Sequence, residues 1–144
     1  MKGYWRDAEM TASRLYPSSI PGEYQLHTGD LFYMDGDGYL YFVGRRDDMI
    51  KSRGEKVSPR EVENVLHMFV GVAEAAVVGV QDVVLGQKIK AFLVPASNQT
   101  PCDIQVIQKH CRQYLEEFMI PHLVEWRSEL PRGATGKIDK KALL

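Results

Sequence analysis

From residue 58 onward the apolar positions switch between helical and strand spacing. Ser58-Pro59-Arg60-Glu61 reads as a helix start, with Ser58 as N-cap, Pro59 at the first helical position and Glu61 completing a capping box. Val62, Val65, Leu66 and Phe69 then fall on one face, and Gly71 ends the helix. Ala75 to Val80 and Ile89 to Val94 read as strands, and the first, nearly all apolar, is expected to be central in its sheet. Thr100-Pro101-Cys102-Asp103 opens a second helix, with Ile104, Ile107, Cys111, Leu115 and Phe118 on its buried stripe. Pro121 stops any continuation. Leu123 to Trp126 is a last short strand before a glycine-containing tail.

The upstream third has a different texture. Residues 1–26 show little periodicity, and Tyr16 to Gly22 reads as an irregular loop. Two strand-like runs follow, Leu31 to Met34 and Tyr39 to Val43, joined by the turn Asp35-Gly36-Asp37-Gly38. That turn lacks the further ligand positions and closing Glu of a calcium loop. After Val43, residues 44–59 hold eight charged side chains and two glycines, which predicts a mobile loop presenting charge. The expected fold is α+β, a small sheet covered by two helices over residues 46–144. It is preceded by a hairpin-bearing piece, residues 1–45, with too few apolar residues for its own core.

Composition narrows the function classes. The chain has 144 residues, 44% hydrophobic and 26% charged, as in an ordinary soluble domain. A net charge of -1 gives no global pull toward nucleic acid or an anionic membrane. No apolar run approaches the roughly 20 residues of a membrane span, and Met1 to Arg6 lacks the apolar stretch of a signal peptide. The cytoplasm is the expected compartment. Cys102 and Cys111 are expected on opposite faces of one helix, unable to pair. His27, His67, His110 and His122 are scattered, so no metal site is expected.

Three segments carry candidate chemistry: Thr28-Gly29-Asp30, the stretch Gly44 to Pro59, and Pro131-Arg132-Gly133-Ala134-Thr135-Gly136-Lys137-Ile138. In this order they resemble the C-terminal part of the acyl-adenylate-forming enzymes, the family of acyl-CoA synthetases, peptide-synthetase adenylation domains and firefly luciferase. The resemblance covers nearly the whole chain. It implies that Lys137 is the catalytic lysine of adenylation, contacting the substrate carboxylate and the nucleotide. A lysine suits that task, because it is a compact charge that reaches between two anionic partners. Its plain alternative is a solvated basic tail with Lys140 and Lys141. Ile138 stands where a Walker A loop requires Ser or Thr.

By the same resemblance Asp30 accepts the ribose hydroxyls of ATP or AMP, Arg45 donates to ribose or phosphate oxygens, and Asp47 is a hinge. The plain alternatives are an Asp-Gly turn and a surface ion-pair cluster. Gly54 would let a pantetheine arm pass close to the backbone, with Lys51, Arg53 and Lys56 receiving CoA phosphates. The family's phosphate loop, adenine segment and acyl pocket lie upstream of anything in this sequence. Magnesium is expected with ATP, its ligands outside this chain.

The implied reading is therefore the C-terminal portion of an acyl-CoA synthetase. Residues 1–45 would end the large N-terminal domain, and residues 46–144 would form a mobile lid. Met1 to Trp5 looks like the interior of that large domain, so the chain is expected to be a fragment or a remnant, inactive alone. Its partners would be the large domain, a carboxylic acid and CoA. Two alternatives stay open: an adenylation enzyme loading a carrier-protein phosphopantetheine, and a stand-alone docking or binding module without catalysis.

Overall fold

The computed structural model describes residues 1–144, which divide into two compact units, Met1–Asp47 and Asp48–Leu144. In the first unit the Asp7 carboxylate accepts the Met10 N–H at 2.8 Å and caps a helix, Ala8–Arg14 (α1). The helix runs into Leu15–Pro17 (β1), which pairs antiparallel with Tyr24–Leu26 (β2). The stretch expected to be irregular is thus a short helix and hairpin. Elements of seven and three residues are too short to leave a readable period, and α1 buries no residue.

Asp30–Met34 (β3) and Leu40–Arg45 (β4) form the expected hairpin. Its turn is held by Asp35, whose Oδ1 accepts the N–H groups of Asp37 and Tyr39 at 3.0 and 2.9 Å. Gly38 takes the left-handed conformation the turn requires, at φ +88°. Tyr33 stacks on Tyr41 at 4.9 Å and Phe32 meets Phe42 edge-on at 5.5 Å, yet all four are exposed. The unit lacks a core because two-stranded ribbons have no second layer to cover them, not because apolar residues are scarce.

The charged stretch after β4 is not a mobile loop. Arg46–Asp48 is one 3-10 turn, and Ile50–Ser52 (β5) pairs with Glu55–Val57 (β6) in a tight antiparallel hairpin. Alternation explains why sequence reading missed it: Ile50, Ser52 and Val57 are buried while Lys51, Glu55 and Lys56 face solvent. Pro59–His67 (α2) follows, burying Val62, Val65 and Leu66. Ser58 is its N-cap residue but makes no side-chain cap bond, so the expected capping box does not form. Ser58 is itself buried, with extended dihedrals.

Val72–Asp82 (β7) and Gly86–Pro95 (β8) make a long antiparallel hairpin. Asp82 closes it, accepting the N–H groups of Val84 and Leu85 and pairing with Lys88 at 2.6 Å. The Lys88 ammonium and those two amides pull the Asp82 carboxyl down to about 2. Ile104–Cys111 (α3) is shorter than expected. Leu115 lies beyond it and Phe118 in a separate 3-10 turn, Glu117–Met119, although both still pack on the core. Cys102 precedes α3 instead of sharing it with Cys111, and its carbonyl accepts the Trp126 indole N–H at 3.0 Å. No helix is long and apolar enough to cross a membrane.

Leu123–Trp126 (β9) pairs parallel to β8, and the sheet order is β6-β5-β8-β7 with β9 on β8. The central strand is therefore β8, not the more apolar β7. The apolarity of β7 has another cause: both of its faces are covered. Ala75 and Val77, with Ile89, Ala91 and Leu93 of β8, pack under α2, α3 and the hairpin residues Ile50 and Val57. Ala76, Val78 and Phe92 face the other way, against Leu130, Ile138 and Leu143 of the C-terminal segment. On that second face Lys90 and Arg127 sit 4.5 and 4.6 Å from the Phe92 ring, and Glu125 bridges the two cations.

Candidate functional site

Three clusters contain the residues singled out above. In the first unit, register places Asp30 opposite Arg45 across β3 and β4, and their side chains pair at 3.2 Å. Gly29 takes φ +81°, and a Cβ there would lie 2.7 Å from an Arg14 nitrogen. Glycine thus brings the backbone turn against a guanidinium. Arg14 and Arg45 both donate to the Thr28 carbonyl, at 3.4 and 3.2 Å. Arg14 also pairs with Asp47 at 3.5 Å. Two cations and two carboxylates therefore ring the Thr28-Gly29-Asp30 turn. Sequence reading missed Arg14, since it lies in the unrecognised helix α1.

Asp47 is exposed and sits in the 3-10 turn, outside the left-handed region. The reason offered from sequence, tolerance of unusual φ, is not one its conformation uses.

The second cluster is the β5–β6 hairpin. Ser52 pairs with Glu55, so the connecting loop is Arg53-Gly54, with φ +55° and +84°. Two successive left-handed residues make a type I′ turn, the form whose twist suits a two-residue hairpin. Gly54 is therefore demanded by the backbone, and a Cβ built there would meet nothing within 4 Å. Lys51, Arg53 and Lys56 are all exposed. The hairpin is tied to β8 by the Gln87 side chain, and His122, just before β9, bonds β8 next to it. Gln87 Oε1 accepts the Lys51 N–H at 2.8 Å. His122 Nδ1 accepts the Ile89 N–H at 3.3 Å, while its own N–H donates to the Ile89 carbonyl at 2.8 Å. Burial, then the Arg53 and Lys88 cations, push the His122 pKa below its ordinary 6.5.

The third cluster holds Lys137. The segment is not the unbiased arm its glycines suggest. Arg132 and Ile138 form a bridge, Gly133 and Gly136 each donate one backbone bond inside it, and Gly136 takes φ +77°. Arg132 donates to the Gly136 carbonyl at 3.0 Å and pairs with Glu74 of β7 at 2.7 Å. This clamp fixes the residue immediately before Lys137. Lys137 is exposed and forms no ion pair. Its neighbour Lys140 is held at 2.6 Å by Glu63 of α2.

Within the second unit these two cationic clusters stand apart. The hairpin is anchored by Ile50 and Val57 on the helix-covered face of the sheet, near the β7–β8 turn. The Lys137 loop is anchored by Leu130 and Ile138 on the opposite face, and by Glu74 at the start of β7.

Residues 61–137 match the family described as AMP-binding enzyme C-terminal domain. The chain belongs to that family. Among its relatives, a crotonobetaine/carnitine–CoA ligase from Salmonella heidelberg is 40% identical over 99% of this chain and 26% of the ligase. The o-succinylbenzoate CoA synthetase from Bacillus subtilis, solved with its acyl-adenylate intermediate, superposes with a TM-score of 0.85 at 34% identity. That match covers 99% of this chain and 28% of the synthetase. An amide bond synthetase from Marinactinospora thermotolerans gives a TM-score of 0.84 at 36% identity, covering 99% of this chain and 28% of its own. This family member thus spans about a quarter of the length of the relatives it matches.

Proposed function

We propose that this chain is the C-terminal part of an ATP-dependent acyl-CoA synthetase and supplies both of its half-reactions from different faces of one lid. In the first, a substrate carboxylate oxygen attacks the α-phosphorus of ATP. An acyl–phosphate bond forms and pyrophosphate leaves. Negative charge gathers on the phosphoryl oxygens, so positioned cations do most of the work. Lys137 is the cation assigned to that step, with Asp30 and Arg45 holding the ribose. In the second, the CoA sulfur, giving up its proton, attacks the acyl carbonyl carbon. A carbon–sulfur bond forms and AMP leaves. The β5–β6 hairpin is assigned to that step: Gly54 lines the thiol's approach, and Lys51, Arg53 and Lys56 meet the CoA phosphates.

One observation carries this reading. The two cationic clusters sit at opposite ends of the β7–β8 hairpin, the β5–β6 loop beside Gly86 at its turn and the Lys137 loop tied to Glu74 at its open end, so one pose does not bring both to the same substrate. A turn at Asp47, with residues 46–144 moving against residues 1–45 and the large domain, would present them in sequence. The open space above Gly54 and the exposed charge of its neighbours fit an anionic ligand with a slender arm.

The test is made on the complete ligase, separating the half-reactions. Lys137→Ala should lower ATP–pyrophosphate exchange about a hundredfold, while leaving thioester formation from supplied acyl-adenylate within about threefold. Gly54→Asn should do the reverse, because Asn tolerates the left-handed turn while filling the open space. Equal losses in both steps for either variant would overturn the two-face assignment. Thioester formation on a carrier protein but not on free CoA would move the acceptor to the first alternative. Absence of exchange with every carboxylic acid, in a folded complete protein, would favour a binding module.

A further inference from the structure

Along the outer edge of β8, strand pairing is interrupted. The β5 strand pairs with β8 only at Ser52↔Gly86, supplemented by the Arg53 N–H donated to the Leu85 carbonyl at 3.0 Å. The β9 strand takes over only at Lys90↔Leu123. The gap is bridged by side chains. Gln87 reaches the Lys51 N–H at 2.8 Å, and His122 takes the Ile89 N–H. The hairpin thus joins the sheet through few polar bonds, and Gln87 makes one of them.

The seat of Gln87 is built by an absence. A Cβ on Gly79 of β7 would lie 2.9 Å from both Cδ and Nε2 of Gln87 and 3.0 Å from Cγ2 of Ile50. Gly79 interrupts the apolar run Ala75 to Val80 of β7, and no positive φ explains it. Its use is space, the usual meaning of a glycine inside a strand. In that space the Gln87 amide and the Ile50 side chain lie together, so the same vacancy seats the hairpin's apolar anchor and its polar latch.

We propose that Gln87, seated on Gly79, is a positioning residue that fixes the Lys51–Lys56 hairpin for thiol transfer. The proposal rests on the reading of that hairpin as the acceptor face. Gln87 would touch neither CoA nor the adenylate. It would act by holding the Lys51 backbone, and with it the direction in which the Arg53-Gly54 turn projects. A misaimed hairpin should weaken the second half-reaction and spare the first, which uses the Lys137 loop held at the other end of β7.

The experiment compares Gln87→Met, Gln87→Glu, Gly79→Ala and Arg53→Ala in the complete ligase, with Lys51 amide exchange followed in the 144-residue chain. Gln87→Met removes the acceptor at similar volume, and Gln87→Glu restores an acceptor oxygen. The expected result for Gln87→Met is about a tenfold loss of kcat/KM for CoA, corresponding to one hydrogen bond, with pyrophosphate exchange within twofold. Gln87→Glu should recover most of that loss, and Gly79→Ala should reproduce it by displacing the amide. Lys51 exchange should accelerate in Gln87→Met and Gly79→Ala alone.

If Lys51 exchange accelerates in Gln87→Met but thioester formation is unchanged, while Arg53→Ala slows it, the positioning role is overturned and the acceptor face stands. If neither Gln87→Met nor Arg53→Ala slows it, both readings fall. Equal losses in the two half-reactions for Gln87→Met would reduce Gln87 to a folding role and overturn the proposal.

Discussion

At the scale of single residues, the site is set by small groups with one physical reason each. Ser52 is fully buried on β5, and its hydroxyl finds no hydrogen-bond partner. An unmatched hydroxyl costs free energy that an apolar side chain of similar size does not. Ser52→Ala should therefore leave stability unchanged or raise it by about 1 kcal/mol, read as the urea midpoint of the chain. His122 offers a pH test. Its ring nitrogen accepts a backbone N–H and must stay neutral to do so, and its folded pKa lies below 6.5. Below pH 6.5 the unfolded chain binds a proton that the folded ring refuses, so stability present at neutral pH is lost as pH falls. Urea titrations at pH 7.5 and 5.5 should show a larger acid loss in the natural chain than in His122→Asn, whose amide oxygen accepts without titrating. Several of these residues were legible in sequence and several were not. Asp30, Arg45, Gly54 and Lys137 stand in motifs recognised by their resemblance to the adenylate-forming family. Arg14, Glu74 and Gln87 act across long sequence separations, which no local pattern encodes. Gly79 did leave a signal, a glycine breaking an apolar strand, and its cause needed the fold.

At the scale of elements, β7 is the informative case. It is an edge strand whose apolar run reads as central, because periodicity reports coverage of faces and not the number of partners. Its outer edge is managed by α2. The Glu63 carboxylate accepts the Val77 N–H at 2.7 Å and holds Lys140 at 2.6 Å. One side chain thus ties the strand edge, a helix and the C-terminal turn, and it blocks an amide otherwise open to a foreign strand. Glu63→Ala should cost about 1.5–3 kcal/mol in urea unfolding, the range for a hydrogen bond to a charged group. Glu63→Gln, which keeps an acceptor for Val77, should cost less than half as much. The strands β8 and β9 and the core of α2 were readable because their apolar spacing is long or sharply bounded. The β5–β6 hairpin was not, since its strands are three residues each and their charges outnumber their apolar anchors.

At the scale of the whole molecule, all of the buried apolar clusters lie in Asp48–Leu144, while Met1–Asp47 leaves its aromatic hairpin exposed. The second unit thus carries its own core, and the upstream hairpins have none. The five-stranded sheet of that unit has a property that follows from the pleat alone. Along β8, Ile89, Ala91 and Leu93 support the hairpin side, and Phe92 between them supports the lysine side. Neighbouring letters of the sequence thus answer to different packing partners. Substitutions at Leu93 and at Phe92 would therefore be felt in separate clusters of the core, although the two share a peptide bond. An insertion of one residue in β8 would exchange the two allegiances at once. The strand is therefore read twice, alternate positions of one line serving two separate cores.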